Sequence, residues 1–60
     1  MKVLALDSTL AACSVAVVDG DEVLANAWEA MTRGHAERMI AMTLEVMDRA
    51  GIAFDQLDLV

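Results

Sequence analysis

The residues of this chain whose types could do chemistry begin with Asp7-Ser8-Thr9, a carboxylate followed by two hydroxyls. They follow the apolar run at residues 3–6, whose length and composition predict a strand buried on both faces. Polar groups at the carboxyl end of a central strand are where α/β sheets usually bind ligands, so Asp7 is a candidate for facing a metal ion or a nucleotide. The alternative is that these side chains only make hydrogen bonds within a turn. Three residues carry little specificity, and both interpretations stay open.

Cysteine and histidine occur once each, as Cys13 and His35. A single cysteine excludes an internal disulfide, and one cysteine with one histidine cannot form a zinc site made of cysteine and histidine ligands. Cys13 lies in an apolar run with no base close in sequence, which favours an inert core residue. Four residues after His35 stands Met39 rather than a second ligand, so a capping or interface role is favoured for the histidine. We therefore predict no catalytic set and no metal site.

Composition limits the classes of protein to which the chain can belong. It has 60 residues, a net charge of −6 and 58% apolar residues. This length allows one small domain, and the apolar share exceeds what a domain of this size hides comfortably. We therefore expect the N-terminal portion of a larger domain, incomplete at its C-terminus, or a chain that lies against a partner.

The charge and hydropathy of the sequence also limit where the protein is expected to be located and which ligands it is expected to bind. The four basic residues are scattered along the chain, which argues against direct binding to a phosphate backbone. The longest run without charge, residues 8–18, is far shorter than the roughly 20 residues of a membrane span. The acid at position 7 comes too early for the apolar region of a signal peptide. We therefore expect a cytoplasmic protein that binds no membrane.

The apolar pattern predicts an α/β fold that begins with three short strands. These strands are expected at residues 2–7, 12–18 and 22–30. Short turns join them, so they are predicted to form an antiparallel three-stranded meander with the second strand in the centre. Strict alternation along the third strand places Leu24 on the face opposite Ala25.

One helix and a further strand complete the predicted order β-β-β-α-β. The helix is expected over His35–Ala50, with Gly34 as its N-cap and Gly51 in the left-handed position that ends it. Residues 57–60 are expected to begin a fourth strand. A strand reached through a helix crosses over in the right-handed sense, which predicts that it lies parallel to the first strand.

The predicted helix has an apolar arc about 160° wide, whereas covering one sheet needs only about 100°. The excess predicts a second contact, and the methionines on this helix have side chains that adapt to varied surfaces. We expect a partner interface along one shoulder of the helix, at His35, Met39, Met42 and Val46. On this expectation, Val46→Asp breaks the pairing and leaves a folded monomer. The alternative is that a second helix of the same chain covers the excess apolar surface of this helix. Both interpretations stay open.

Four segments resemble one family of proteins. They are Leu-Asp-Ser-Thr at residues 6–9, Ala-Cys-Ser-Val-Ala-Val-Val at 12–18, Asp-Gly-Asp-Glu-Val-Leu-Ala at 19–25, and Gly-His-Ala-Glu-Arg-Met-Ile at 34–40. Together they make the chain similar, over essentially all its length, to the N-terminal part of the bacterial TsaB (YeaZ) family. One departure is the absence of a proline early in the helix, where Met39-Ile40 is followed by Ala41.

This resemblance implies a fold and a function. The fold is the N-terminal part of an actin-like ATPase (ribonuclease H-like) domain. The function is that of a non-catalytic scaffold subunit in the synthesis of tRNA N6-threonylcarbamoyladenosine at position 37. The implied partners are a TsaD-type catalytic subunit, bound through the first helix, and a TsaE-type ATPase. A homodimer is also implied as a form of the family, tRNA is contacted only indirectly, and no cofactor is expected beyond ATP or ADP at a complex interface.

The same resemblance leaves one rival function. Asp7, Ser8 and Thr9 are implied to be the remnant of a nucleotide-binding loop, since the opening Leu-Asp-Ser-Thr is shared loosely with the wider actin and sugar-kinase superfamily. The rival is therefore a nucleotide-dependent small-molecule kinase of that superfamily, in which these residues contact a metal–nucleotide.

Overall fold

A computed structural model of the chain describes residues 1–30 and 33–60. In chain order the elements are β1 (Lys2–Ser8), β2 (Ala12–Asp19), β3 (Glu22–Ala30), α1 (His35–Ala50) and a 3-10 turn (Phe54–Gln56). The third strand and the helix have the predicted bounds, whereas β1 and β2 each continue one residue further than predicted. The chain is therefore a mixed α/β unit of the order β-β-β-α.

The three strands form an antiparallel sheet in the order β1-β2-β3, which confirms the predicted meander. Central β2 pairs Val17 with Leu4 of β1 and with Ala25 of β3. Gly20 makes the turn between β2 and β3 at a φ of 61°, a left-handed conformation that costs glycine little. Small and β-branched residues along β2 explain its central position, because they pack on both faces of a sheet.

One irregularity interrupts β3. Val17 pairs with Ala25 but the next residue, Val18, pairs with Val23, so Leu24 is an extra residue in β3. Such a bulge breaks the alternation of side chains. Leu24 and Ala25 consequently both pack against the core, and the prediction that they lie on opposite faces is wrong.

The core lies between the sheet and α1, which covers β2 and β3 from one side. Its buried members come from β1, from the central strand β2 and from one side of the helix: Leu4, Cys13, Val15, Val17, Met42, Val46 and Met47. Cys13 is a core residue, as predicted. The helix ends where Gly51 adopts a φ of 73° and donates its backbone N–H to Met47 and Asp48, which confirms the predicted C-terminal stop.

After α1 the chain returns to the free side of β1. Val3 and Leu59 form an isolated parallel bridge, and the Leu4 N–H donates to the Leu59 carbonyl at 2.9 Å. On the same side, the backbone N–H of Asp58 donates to the Lys2 carbonyl at 2.8 Å. The parallel direction predicted for the fourth strand is confirmed, although its extent is a single bridge rather than a full strand.

Candidate functional site

A surface groove runs between α1 and β1 and is almost wholly apolar. Its volume is about 240 Å³. The side chains that line it come from β1, from α1 and from the 3-10 turn: Leu6, Met39, Ile40, Thr43, Leu44 and Phe54. We call this the α1–β1 groove. Ile40 is 65% exposed and Leu44 is 56% exposed, although both are large apolar residues.

The groove forms because α1 has more apolar positions than the sheet can cover. Ile40 and Leu44 are one helical turn apart, so they share a face of the helix. Leu6 lies below them on the sheet face that α1 covers, and Phe54 closes the far side. A contiguous apolar surface of this kind, bounded by polar residues, is typical of a binding site.

Two of the predicted interface residues do not lie on this surface. Met42 is 1% exposed and Val46 is 0% exposed, and both pack in the core against β2. In this structure the two side chains that were predicted to contact a partner therefore contact the sheet instead. The periodicity of apolar residues predicts the width of the apolar arc, but it does not predict which edge of the arc faces the sheet. In the structure α1 is rotated so that the edge with Met42 and Val46 packs against the sheet.

The other two predicted interface residues are half-buried. Met39 lines the α1–β1 groove, and its carbonyl accepts a hydrogen bond from the Thr43 hydroxyl at 2.7 Å. His35 begins the helix, and its backbone carbonyl lies 4.0 Å from the Cys13 sulfur. Within the described residues the His35 Nε2 is buried with no hydrogen-bond partner. Only Met39 of the predicted four thus lines the groove.

Some of the groove residues that were not predicted as interface residues could have been found from the sequence. Ile40 and Leu44 fall inside the predicted apolar arc, so the excess width of that arc could have marked them as the second contact. Phe54 lies between the predicted helix and the predicted fourth strand, and no periodic pattern marks it. Its position depends on the 3-10 turn at Phe54–Gln56, in which the Gln56 side chain accepts the Ala53 N–H at 2.7 Å.

The second predicted site, Asp7-Ser8-Thr9, does not converge on one surface. Asp7 pairs with Ser14 on the sheet face opposite α1, where the two line an open hollow of about 260 Å³ with Trp28. Ser8 pairs with Cys13, and its hydroxyl lies 3.9 Å from the buried sulfur. Since neighbouring strand residues point to opposite faces, Asp7 and Ser8 cannot hold one ligand together without a change of backbone.

Thr9 has a local role in the turn between β1 and β2. Its hydroxyl accepts the backbone N–H groups of Ala11 at 3.4 Å and Ala12 at 3.2 Å. The Thr9 N–H donates to the Ala12 carbonyl at 2.8 Å, which closes the turn. For this residue the geometry favours the turn interpretation over the ligand one.

We expect Thr9→Val to destabilise the chain by about 0.5–1.5 kcal/mol, because the isosteric valine removes the hydroxyl that accepts the turn N–H groups. Thr9→Ser keeps the hydroxyl and is the matched control. Urea unfolding monitored by circular dichroism measures the difference. Equal stability of the valine and serine variants contradicts a structural role for the hydroxyl.

Basic residues of α1 hold the helix to β3. The Arg38 guanidinium pairs with the Glu29 carboxylate, and Arg49 donates to the Asn26 carbonyl at 2.6 Å. At the other end of the sheet, Lys2 pairs with Asp19 at 3.9 Å. These contacts lie away from the α1–β1 groove.

The part of the chain that the structure describes contains neither a cluster of metal-ligating residues nor a helix that could span a membrane. No cluster of three or more potential ligands from His, Cys, Asp and Glu occurs there. No helix among those residues combines the length and the apolar character needed to cross a bilayer. Comparison of the chain with protein-family models, with curated proteins and with solved structures gave no match.

Proposed function

We propose that this chain belongs to a protein-binding subunit that docks on its partner through the α1–β1 groove. The observation that carries the proposal is the exposure of Ile40 and Leu44 on the outer side of α1, next to Leu6 and Phe54. These four side chains are only 47–65% exposed, so covering each contributes roughly half of the about 1.5–3 kcal/mol that burial of a fully exposed side chain gives. Together they form an apolar centre of the kind that dominates most interfaces, where a few well-packed side chains contribute most of the binding energy.

The identity that we propose for the subunit comes from the sequence resemblance. On that basis it is a non-catalytic scaffold of the TsaB type, which supports a TsaD-type catalytic subunit in threonylcarbamoylation of tRNA in the cytoplasm, alongside a TsaE-type ATPase. The order β-β-β-α, followed by a parallel return to β1, is compatible with the N-terminal part of an actin-like domain. The proposed interface differs from the predicted one in using Ile40 and Leu44 in place of Met42 and Val46.

The proposal makes Leu44→Asp the decisive substitution. Leu44 is exposed, so the variant keeps its fold, but a carboxylate in an apolar contact lacks compensation when water is removed. We expect pairing with the TsaD-type subunit of the same organism to weaken at least about 30-fold, the loss typical of a central interface residue. Calorimetric titration of the two purified proteins measures the dissociation constants.

Ala41→Asp is the matched control. Ala41 is exposed on the same helix, it receives the same charge, and it does not line the groove. We expect this variant to pair within about threefold of the unmodified chain, since surface substitutions away from a contact are usually worth less than about 0.5 kcal/mol. If the two aspartate variants pair equally well, the groove is not the docking site.

The arrangement of Asp7, Ser8 and Thr9 gives less support to the kinase alternative. That function would use Asp7, Ser8 and Thr9 on one metal–nucleotide, whereas the first two point to opposite faces of the sheet and the third closes a turn. We therefore do not extend the proposal to a kinase.

A further inference from the structure

One methionine belongs to the α1–β1 groove, and methionine thioethers are readily oxidised to sulfoxides. The chain has five methionines in all. Met42 and Met47 are buried in the core, and Met1 is exposed. Met31 lies outside the described residues. Met39 is half-buried and lines the groove, so among the described methionines it alone is both accessible to a small oxidant and part of the groove.

Burial protects the two core methionines from an oxidant in water. Met42 is 1% exposed and Met47 is 3% exposed, so a peroxide molecule reaches their sulfur atoms only when the core opens. Opening of a core costs a free energy close to that of global unfolding. In the folded chain we therefore expect oxidation at Met39 before Met42 and Met47.

The side chains of the groove offer no free donor to an oxygen on the Met39 sulfur. Of the described side chains that line the groove, only that of Thr43 carries a hydrogen-bond donor. A hydroxyl has one proton to donate, and Thr43 donates it to the Met39 carbonyl at 2.7 Å. Water therefore solvates a sulfoxide at Met39 while the groove is open.

We propose that Met39 makes docking in the α1–β1 groove sensitive to oxidation, because hydrogen peroxide converts its thioether to a sulfoxide that weakens binding of the partner. This inference rests on the proposed function, since it names a regulation of that same site. In the reaction a sulfur lone pair attacks one peroxide oxygen, an S–O bond forms and the O–O bond breaks. The second oxygen leaves as water, so sulfur is oxidised by two electrons and peroxide is reduced by two.

The sulfoxide acts on binding because its cost differs between the open and the docked groove. In the open groove water donates hydrogen bonds to the new oxygen. An apolar partner surface that covers Met39 expels this water and leaves the oxygen without a donor. Such an unsatisfied group lowers a binding constant by about 5- to 150-fold.

The modification is reversible, which a regulatory role requires. Methionine sulfoxide forms as two epimers at sulfur, and a separate class of reductase restores each of them to the thioether. Treatment with both reductases is therefore expected to return the groove to its binding state.

The experiment oxidises the full chain with hydrogen peroxide and removes the excess with catalase before the partner is added. Mass spectrometry of peptides locates the sulfoxides, and calorimetric titration measures pairing with the TsaD-type subunit. We expect a sulfoxide at Met39 but not at Met42 or Met47, and pairing weakened at least about tenfold. Both reductases together are expected to restore the original affinity.

Met39→Leu is the matched control, because leucine conserves the volume of methionine but has no sulfur to oxidise. We expect this variant to pair like the unmodified chain and to keep its affinity after peroxide. If peroxide weakens pairing of the leucine variant equally, another methionine causes the effect and the proposal is overturned. Unchanged pairing of a chain oxidised at Met39 also overturns it.

Stability has to be measured beside affinity, because Met39 also packs against the core. Urea unfolding of the oxidised chain, followed by circular dichroism, is expected to keep a cooperative transition. Loss of that transition shows that oxidation unfolds the chain rather than altering the groove, and overturns the proposal. Met39→Gln, which places a polar group of similar length at this site, is expected to weaken pairing at least about tenfold in a folded chain.

A second readout separates this inference from the proposed function. The apolar dye anilinonaphthalene sulfonate reports an exposed hydrophobic surface without any partner. If the unmodified chain does not pair with the TsaD-type subunit, the proposed function fails. Dye binding that oxidation weakens in the unmodified chain but not in Met39→Leu then still supports the inference, and equal dye binding overturns it. If pairing is tight and indifferent to oxidation, the proposed function stands and the inference fails.

Discussion

Val46→Asp is expected to unfold the chain. Val46 is 0% exposed and packs among Val15, Val17 and Met42, so an aspartate there has neither water nor a cation near it. A buried charge without a partner costs about 3–5 kcal/mol. A domain of this length is expected to have only about 3–9 kcal/mol of stability in total. Loss of the cooperative unfolding transition, followed by circular dichroism on heating, is the expected measurement.

Leu44→Asp is the control that distinguishes the effect of burying a charge from the effect of adding a charge to α1. It introduces the same charge on the same helix at a site that is 56% exposed, so it should retain a cooperative transition. The burial of Val46 is the reason why this expectation differs from the one drawn from the sequence, that Val46→Asp leaves a folded monomer. If Val46→Asp melts like the unmodified chain, then α1 does not pack on the sheet through its Met42 and Val46 side.

Binding of the partner is expected to slow hydrogen exchange in β2 about 100-fold when the partner is present at 100 times its dissociation constant. A partner that binds only the folded chain stabilises it by about 2.7 kcal/mol at that concentration. Amides of the central strand exchange mainly through global unfolding, so they report this stabilisation although β2 contributes no side chain to the groove. Mass spectrometry of peptides from β2 measures the rates separately from those of the partner.

The control for this exchange experiment is Leu44→Asp at the same partner concentration, for which we expect no slowing in β2. If hydrogen exchange slows only in α1, the partner protects the amides that it covers but does not stabilise the folded chain as a whole. Unchanged exchange throughout the chain, at a concentration where pairing is independently detected, would mean that the partner binds folded and unfolded chains equally.

The elements of this fold could be predicted from the sequence because each has a strong local cause. Gly34 and Gly51 bound α1, and Gly51 adopts the left-handed conformation that the C-terminal stop implies. Gly34 is also left-handed, which the N-cap pattern did not predict. Alternating and continuous apolar runs bound the strands to within one residue. The parallel return of residues 57–60 followed from the crossover rule, which depends on chain connectivity rather than on individual side chains.

The parts that could not be predicted depend on tertiary packing. The rotation of α1 about its axis decides whether Val46 or Leu44 meets water, and only the shape of the facing sheet sets that rotation. The bulge that turns Leu24 inward arises from pairing with β2 and leaves no mark in the sequence of β3. For Thr9 both roles were foreseen, and backbone geometry was needed to favour the turn.

The contact between Arg49 and the Asn26 carbonyl has a consequence for self-association. β3 has no further neighbour in the described sheet, and a free strand edge invites pairing with strands of other molecules. Arg49 reaches from the last turn of α1 and occupies one acceptor on that strand. A foreign strand that pairs at this point must first displace a charged side chain anchored in the helix. Fraying of the last turn of α1 near Gly51 would release this acceptor, so the protection of the β3 edge at Asn26 depends on the end of the helix staying formed.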